Sequence, residues 1–98
     1  MKLTNKVAII TGGAGVIGRA MAYEFLKEGA RGVVISDLDP DQVKHVSDEL
    51  GCSGFAADVT NESEVIALVD SAVSHYGQVD LYCSNAGALS KGGLLIDA

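Results

Sequence analysis

An apolar, β-branched run, Lys6 to Thr11 (KVAIIT), leads straight into a glycine-rich stretch, Thr11 to Gly18 (TGGAGVIG). An amphipathic segment begins before that stretch has ended. Few arrangements satisfy all three features at once. The first segment reads as a buried parallel strand, because both of its faces are hydrophobic. Gly13, Gly15 and Gly18 fit the spacing GxGxxG, in which glycines permit a tight turn, a close backbone approach to a ligand and close packing of helix on strand. A helix that starts there presents free amides and the positive end of its dipole to a negatively charged group such as a pyrophosphate.

The rest of the chain repeats the alternation of strand and helix. Val16 to Glu28 has helical period, with Gly18, Met21, Ala22 and Phe25 on one face and Arg19, Tyr23 and Lys27 on the other. Gly32 to Ser36 (GVVIS) is a second apolar strand. Asp39, Pro40 and Gln42 then form a helix start, with a carboxylate N-cap, proline at the first position and a capping-box partner at the third. Val43, Val46 and Leu50 follow at helical spacing, and Gly51 is placed to stop that helix. A third strand is expected at about Gly54 to Ala57. The next helix is expected to bury Val65, Val69, Ala72, Val73 and Tyr76 and to stop at Gly77, and a fourth strand runs from Val79 to Ser84. With right-handed crossovers, β-α-β-α-β-α-β gives an α/β, Rossmann-type, doubly wound parallel sheet of strand order 3-2-1-4. Its ligand crevice lies between the first and fourth strands. The fourth strand is expected to lack a partner on its far side, and the 98 residues read as one cofactor-binding portion, residues 1–98, cut in mid-architecture.

Asp37 ends the second strand, 19 residues after Gly18 (37 − 18 = 19). A carboxylate there accepts hydrogen bonds from the adenosine ribose hydroxyls and repels a 2′-phosphate. No lysine or arginine lies in the glycine loop and Leu38 follows Asp37, so the expected cofactor is NAD rather than NADP. Charge agrees with this reading. Seven basic residues against thirteen acidic ones give a net charge of −6, with no basic cluster to neutralise nucleic-acid phosphates. The longest apolar run falls far short of the roughly 20 residues that span a bilayer. Neither nucleic acid nor membrane is an expected partner, no metal site is expected, and the expected location is the cytoplasm. Cys52 and Cys83 are far apart, without CxxC spacing, and read as plain reduced thiols.

Four features taken in order, TGGAGVIG, the acidic Asp37, ADVT at Ala57 to Thr60 and SNAG at Ser84 to Gly87, resemble the short-chain dehydrogenase/reductase family along the whole chain. The resemblance implies a cofactor site of Gly12, Gly15, Val16, Ile17 and Gly18, with Asp37 and Leu38 at the ribose. It places Asp58 and Val59 at the adenine, the Asp58 carboxylate near the exocyclic amine. It also implies that Asn85, Ala86 and Gly87 line the cleft, Asn85 tying the central sheet together as well. Simpler readings are a helix cap for Asp58 and a turn residue for Asn85. One feature departs from the pattern: the single-domain branch of the family spaces its loop TGxxxGxG, which would put glycine at Val16. The spacing TGxxGxxG is commoner in the extended branch of sugar-nucleotide epimerases and dehydratases, whereas SNAG resembles the NNAG of the single-domain branch.

The family reaction is reversible hydride transfer between an alcohol or ketone and nicotinamide. It is carried by a serine, a tyrosine and a lysine, the last two as Tyr-x-x-x-Lys, placed in the family well beyond residue 98. Resemblance thus implies an NAD-dependent oxidoreductase of small alcohols or carbonyl compounds, as a homo-oligomer (tetramer or dimer). No catalytic residue is assigned within the 98, and the chain alone is expected to be inactive. The alternatives are a non-catalytic dinucleotide-binding module and an extended-branch enzyme. Tyr23 to Lys27 (YEFLK) fits Tyr-x-x-x-Lys but belongs to the outward face of the first helix, beyond reach of a nicotinamide. His45 and His75 read as surface histidines.

Overall fold

The computed structural model describes residues 3–85 and 95–97. Strand β1 (Val7–Thr11), helix α1 (Val16–Lys27), β2 (Gly32–Ser36), α2 (Pro40–Leu50), β3 (Ser53–Gly54), α3 (Glu62–Tyr76), β4 (Leu81–Ser84) and β5 (Leu95–Asp97) follow in that order. They form one sheet of order β3-β2-β1-β4-β5. Its first three pairings are parallel, which gives the expected Rossmann order 3-2-1-4.

Every residue of β1 and β2 is buried, because helices cover both faces. Side chains alternate across a strand, so Ile10, Val33, Ile35 and Cys83 pack against Ala22 of α1 and Val43 and Val46 of α2. Ile9 and Val34 point the other way, onto Leu68 and Ala72 of α3. Asp39 caps α2 by accepting from the amides of Asp41 and Gln42 at 2.9 and 3.4 Å. Helices α2 and α3 stop at Gly51 and Gly77, as the sequence predicts. Burial pushes the Cys52 and Cys83 thiols up from their usual range, so both stay protonated at neutral pH.

Four details differ from the sequence reading. Strand β3 is Ser53–Gly54, not Gly54 to Ala57. Beyond it the amides of Phe55 and Ala57 still donate to Ile35 O and Asp37 O, both at 3.0 Å, so the chain runs on beside β2 past the strand's end. Strand β4 starts at Leu81 rather than Val79, because the Asp80 side chain takes over at the strand's entry, its Oδ2 accepting from Val7 N at 2.8 Å. On α3 the buried pair is Leu68 and Ala72, one helical turn apart. Val73 lies about 100° round the helix from Ala72 and is 44% exposed. Finally, the far side of β4 is not open, since β5 pairs with it antiparallel. Among the described residues no helix is long and apolar enough to cross a membrane.

Candidate cofactor site

At the carboxyl ends of β1 and β2 the chain turns at Gly12, whose φ of +67° is a left-handed conformation that favours glycine. Gly13 N donates to Ser36 O at 2.9 Å, and Gly15 N to Gly12 O at 3.1 Å. Gly18 lies hard against the Gly12 carbonyl, so a Cβ there would collide with backbone that cannot rotate away. Gly15 is different. A Cβ on it would meet only Gly12 O, at 3.4 Å, and otherwise face open space. The glycines thus divide into packing positions, Gly13 and Gly18, and one that leaves room beside the turn.

The three helix starts differ in a way that bears on a ligand. Asp39 caps α2, and Asn61 caps α3 by accepting from Glu64 N at 3.3 Å. Both helices carry acidic residues in the first turn. Helix α1 begins at Gly15 with no side-chain cap and no acid in its first turn. Its first amides, on Val16, Ile17 and Gly18, have no partner inside the helix. The positive end of α1 therefore has no side-chain partner among the described residues. Val16 is 88% exposed and its side chain lines a different groove between α1 and α2, so it is the Val16 N–H that faces out from the start of the helix.

Beside the turn lies a cavity of about 260 Å³ lined by Gly12, Asp37, Leu38, Ala57, Asp58, Val59 and Thr60. Pockets for drug-sized ligands run to roughly 300–1,000 Å³, so this one suits part of a dinucleotide rather than all of it. Asp37 Oδ2 accepts from Ala14 N at 3.2 Å and Oδ1 from Leu38 N at 2.9 Å. The carboxylate so braces the glycine turn while lining the cavity. Asp58 Oδ1 accepts from both the amide and the hydroxyl of Thr60, at 2.9 and 2.6 Å. The Thr60 hydroxyl, with its amide, holds the Asp58 carboxyl below the usual carboxylate range. Asp58 does not cap α3, because Asn61 does.

Asn85 stands at the end of β4. Its amide N–H donates to Thr11 O at 3.2 Å and its Nδ2 to Met21 Sδ at 3.4 Å, linking β4 to β1 and α1. Its Oδ1 is buried without a partner among the described residues. Ala86 and Gly87, expected in the same cleft, lie outside the described residues. The structure thus brings the glycine turn, Asp37, Leu38, Asp58 and Val59 together. The bracing groups Ala14 and Thr60 were not singled out from sequence, nor were the Asn61 cap and Glu64. For the last two a signal existed: Asn-x-x-Glu before an apolar helical run has the spacing of a capping box. Tyr23 is 56% exposed and lines the larger groove with Arg19 and Glu49, which form an ion pair. It has no part in the cavity beside Asp37.

Comparison with known proteins agrees with this geometry. The sequence profile of the short chain dehydrogenases matches residues 6–96. The chain is 44% identical over 92 residues to (-)-isopiperitenol/(-)-carveol dehydrogenase of Mentha piperita, covering 91% of this chain and 35% of that protein. It is 45% identical over 92 residues to the 7alpha-hydroxysteroid dehydrogenase of Escherichia coli K12, covering 89% of this chain and 36% of that protein. The chain therefore spans about a third of the length of these relatives. Among solved structures, a 3-ketoacyl-(acyl-carrier-protein) reductase from Brucella melitensis complexed with NADH superposes with a TM-score of 0.77 at 40% identity, over 82% of this chain and 33% of that one. A short chain dehydrogenase/reductase from Burkholderia phymatum in complex with NAD gives 0.79 at 32% identity, over 84% and 31%. By sequence profile, by relatives and by fold, this chain belongs to the short-chain dehydrogenase family.

Proposed function

We propose that this chain is the NAD-holding part of an oxidoreductase that moves hydride between an alcohol or ketone and nicotinamide. The observation that carries the proposal is the uncapped, acid-free start of α1 beside the Asp37 carboxylate. The amides of Val16, Ile17 and Gly18 take the pyrophosphate there, with Gly15 leaving room for its approach. Asp37 accepts from the adenosine ribose hydroxyls and repels a 2′-phosphate, which selects NAD over NADP. Asp58 and Val59 receive the adenine, and Asn85, with Ala86 and Gly87, borders the path toward the nicotinamide. Bound NAD supplies the ring carbon that takes or gives the hydride. Two neighbours by fold, crystallised with NADH and with NAD, support this choice.

Proton transfer to the substrate is a separate requirement, and among the described residues nothing is placed for it. Tyr23 lies in the outer groove, the Tyr76 hydroxyl is engaged with Ser53 Oγ at 2.7 Å, and burial pushes Tyr82 up from its usual range. Titration calorimetry of the purified protein with NAD and NADP tests the cofactor assignment. Tighter binding of NAD is expected, and tighter binding of NADP would reject the role given to Asp37.

A further inference from the structure

The short connection between β3 and α3 carries more hydrogen bonds than a helix start requires. Asp58 O accepts from Asn61 N at 3.0 Å, closing a four-residue turn. Within that turn Asp58 Oδ1 is used twice by Thr60. In an ordinary capping box the carboxylate at the third helical position reaches back to the N–H of the cap residue. Here the Asn61 N–H is already committed to Asp58 O. The third-position residue, Glu64, instead reaches three residues farther back, and its Oε1 accepts from Asp58 N at 3.0 Å in a part-buried contact. The amide, the carbonyl and one carboxylate oxygen of Asp58 are all tied down. Among the described residues no hydrogen bond uses Asp58 Oδ2.

We infer that Glu64 is a positioning residue for base recognition: it fixes the Asp58 backbone so that the free Asp58 Oδ2 meets the exocyclic amine of adenine. This rests on the reading of the cavity as an adenine site. Glu64 is not itself among the residues lining that cavity, so it acts only through Asp58. An ionised carboxylate oxygen can only accept. It matches the N–H donors of adenine and opposes the carbonyl oxygen that hypoxanthine carries in the same place. A loosened Asp58 would still present negative charge near the base but would discriminate less between the two.

The test uses NAD and its deaminated analogue, nicotinamide hypoxanthine dinucleotide, titrated into the purified wild type, Glu64→Ala and Glu64→Gln, with melting temperatures measured alongside. Wild type is expected to prefer NAD. Glu64→Ala should lose about five- to tenfold of that preference, the scale of one ordinary hydrogen bond. Glu64→Gln, whose side-chain carbonyl still accepts from Asp58 N–H, should keep it even if its melting temperature drops. An unchanged preference in Glu64→Ala, or equal weakening toward both dinucleotides, would reduce Glu64 to a helix-end residue and overturn the inference. Loss of preference in Glu64→Gln as severe as in Glu64→Ala would overturn it too. A wild type that binds both dinucleotides equally would instead reject the adenine reading itself, and the inference with it.

Discussion

Alanine at two glycines of the same turn should have opposite effects. A Cβ on Gly18 would collide with the Gly12 carbonyl oxygen and lie 2.7 Å from Gly13 Cα and 2.8 Å from Gly12 C. All three are backbone atoms, so relief requires moving the turn or the helix. Overpacking of this kind costs about 1–3 kcal/mol, and alanine returns up to about 1 kcal/mol through its helix propensity. A net loss of about 1–2 kcal/mol corresponds to a melting temperature lower by about 5–15 °C in a domain of this size. Gly15→Ala should behave otherwise. The backbone φ there is −80°, which alanine adopts freely, and its Cβ would make one ordinary contact at 3.4 Å. Reduced unfolded-state entropy favours the variant by about 0.4–1 kcal/mol, offsetting a weaker N-cap of similar size. Its melting temperature should stay within about 5 °C of wild type. Its NAD affinity should nonetheless fall about ten- to a hundredfold, because the methyl stands where the phosphates approach, against a charge-assisted hydrogen bond's typical 1.5–3 kcal/mol. Circular dichroism melts and NAD titrations of both variants decide the matter. A Gly18→Ala protein that melts with wild type, or a Gly15→Ala protein that binds NAD undiminished, would refute this division of the turn.

Asp37→Ala removes both the ribose acceptor and the repulsion of a 2′-phosphate, and should narrow the preference for NAD over NADP by about 1–3 kcal/mol; an unaltered ratio of dissociation constants would show that the carboxylate is not the discriminator. The Val7 amide, then Gln78, hold the Asp80 carboxyl below the usual carboxylate range, as Thr60 does for Asp58. A depressed folded-state pKa contributes stability that is present above the unfolded value, about 3.9 for aspartate, and lost as pH falls through the folded one. Melting temperature should therefore fall on acidification below roughly pH 4, and less steeply in Asp80→Asn; parallel pH profiles for the two proteins would contradict this. Residues 1–98 alone should show no oxidation or reduction above background with a panel of alcohols and ketones, since none of the described residues is positioned as the acid/base group, which is worth about 10²–10⁴-fold. Turnover abolished by Tyr23→Phe would overturn that expectation.

What the sequence made legible depended on whether the signal was local. The glycine turn, the Asp39 cap and the Gly51 and Gly77 stops each follow from the conformational demands of a few consecutive residues, and each appears where expected. Strand order followed from alternation of elements and crossover handedness. The errors are tertiary. Val73 and Leu68 are both compatible with an apolar α3 face, and only the angle at which α3 meets Ile9 and Val34 selects Leu68. The limits of β3 depend on how far β2 continues beside it, and the entry to β4 on Asp80, whose side chain takes the Val7 amide while its own amide pairs with Val7 O. In the site, Asp37 and Asp58 were legible by spacing and resemblance. Their braces, Ala14 and Thr60, are contacts that no periodicity announces. Val16, expected in the site, has a side chain that lines the neighbouring groove between α1 and α2, which the sequence pattern does not announce.

The most direct test of the account is to follow the backbone amides of the labelled protein by NMR as NAD is added. The account predicts that the largest shifts fall on Val16, Ile17 and Gly18 at the start of α1 and on Leu38, Asp58 and Val59 around the cavity, and that NADP at the same concentration perturbs them less. Shifts centred instead on Arg19, Tyr23 and Glu49 in the outer groove, or an equal response to both dinucleotides, would contradict it.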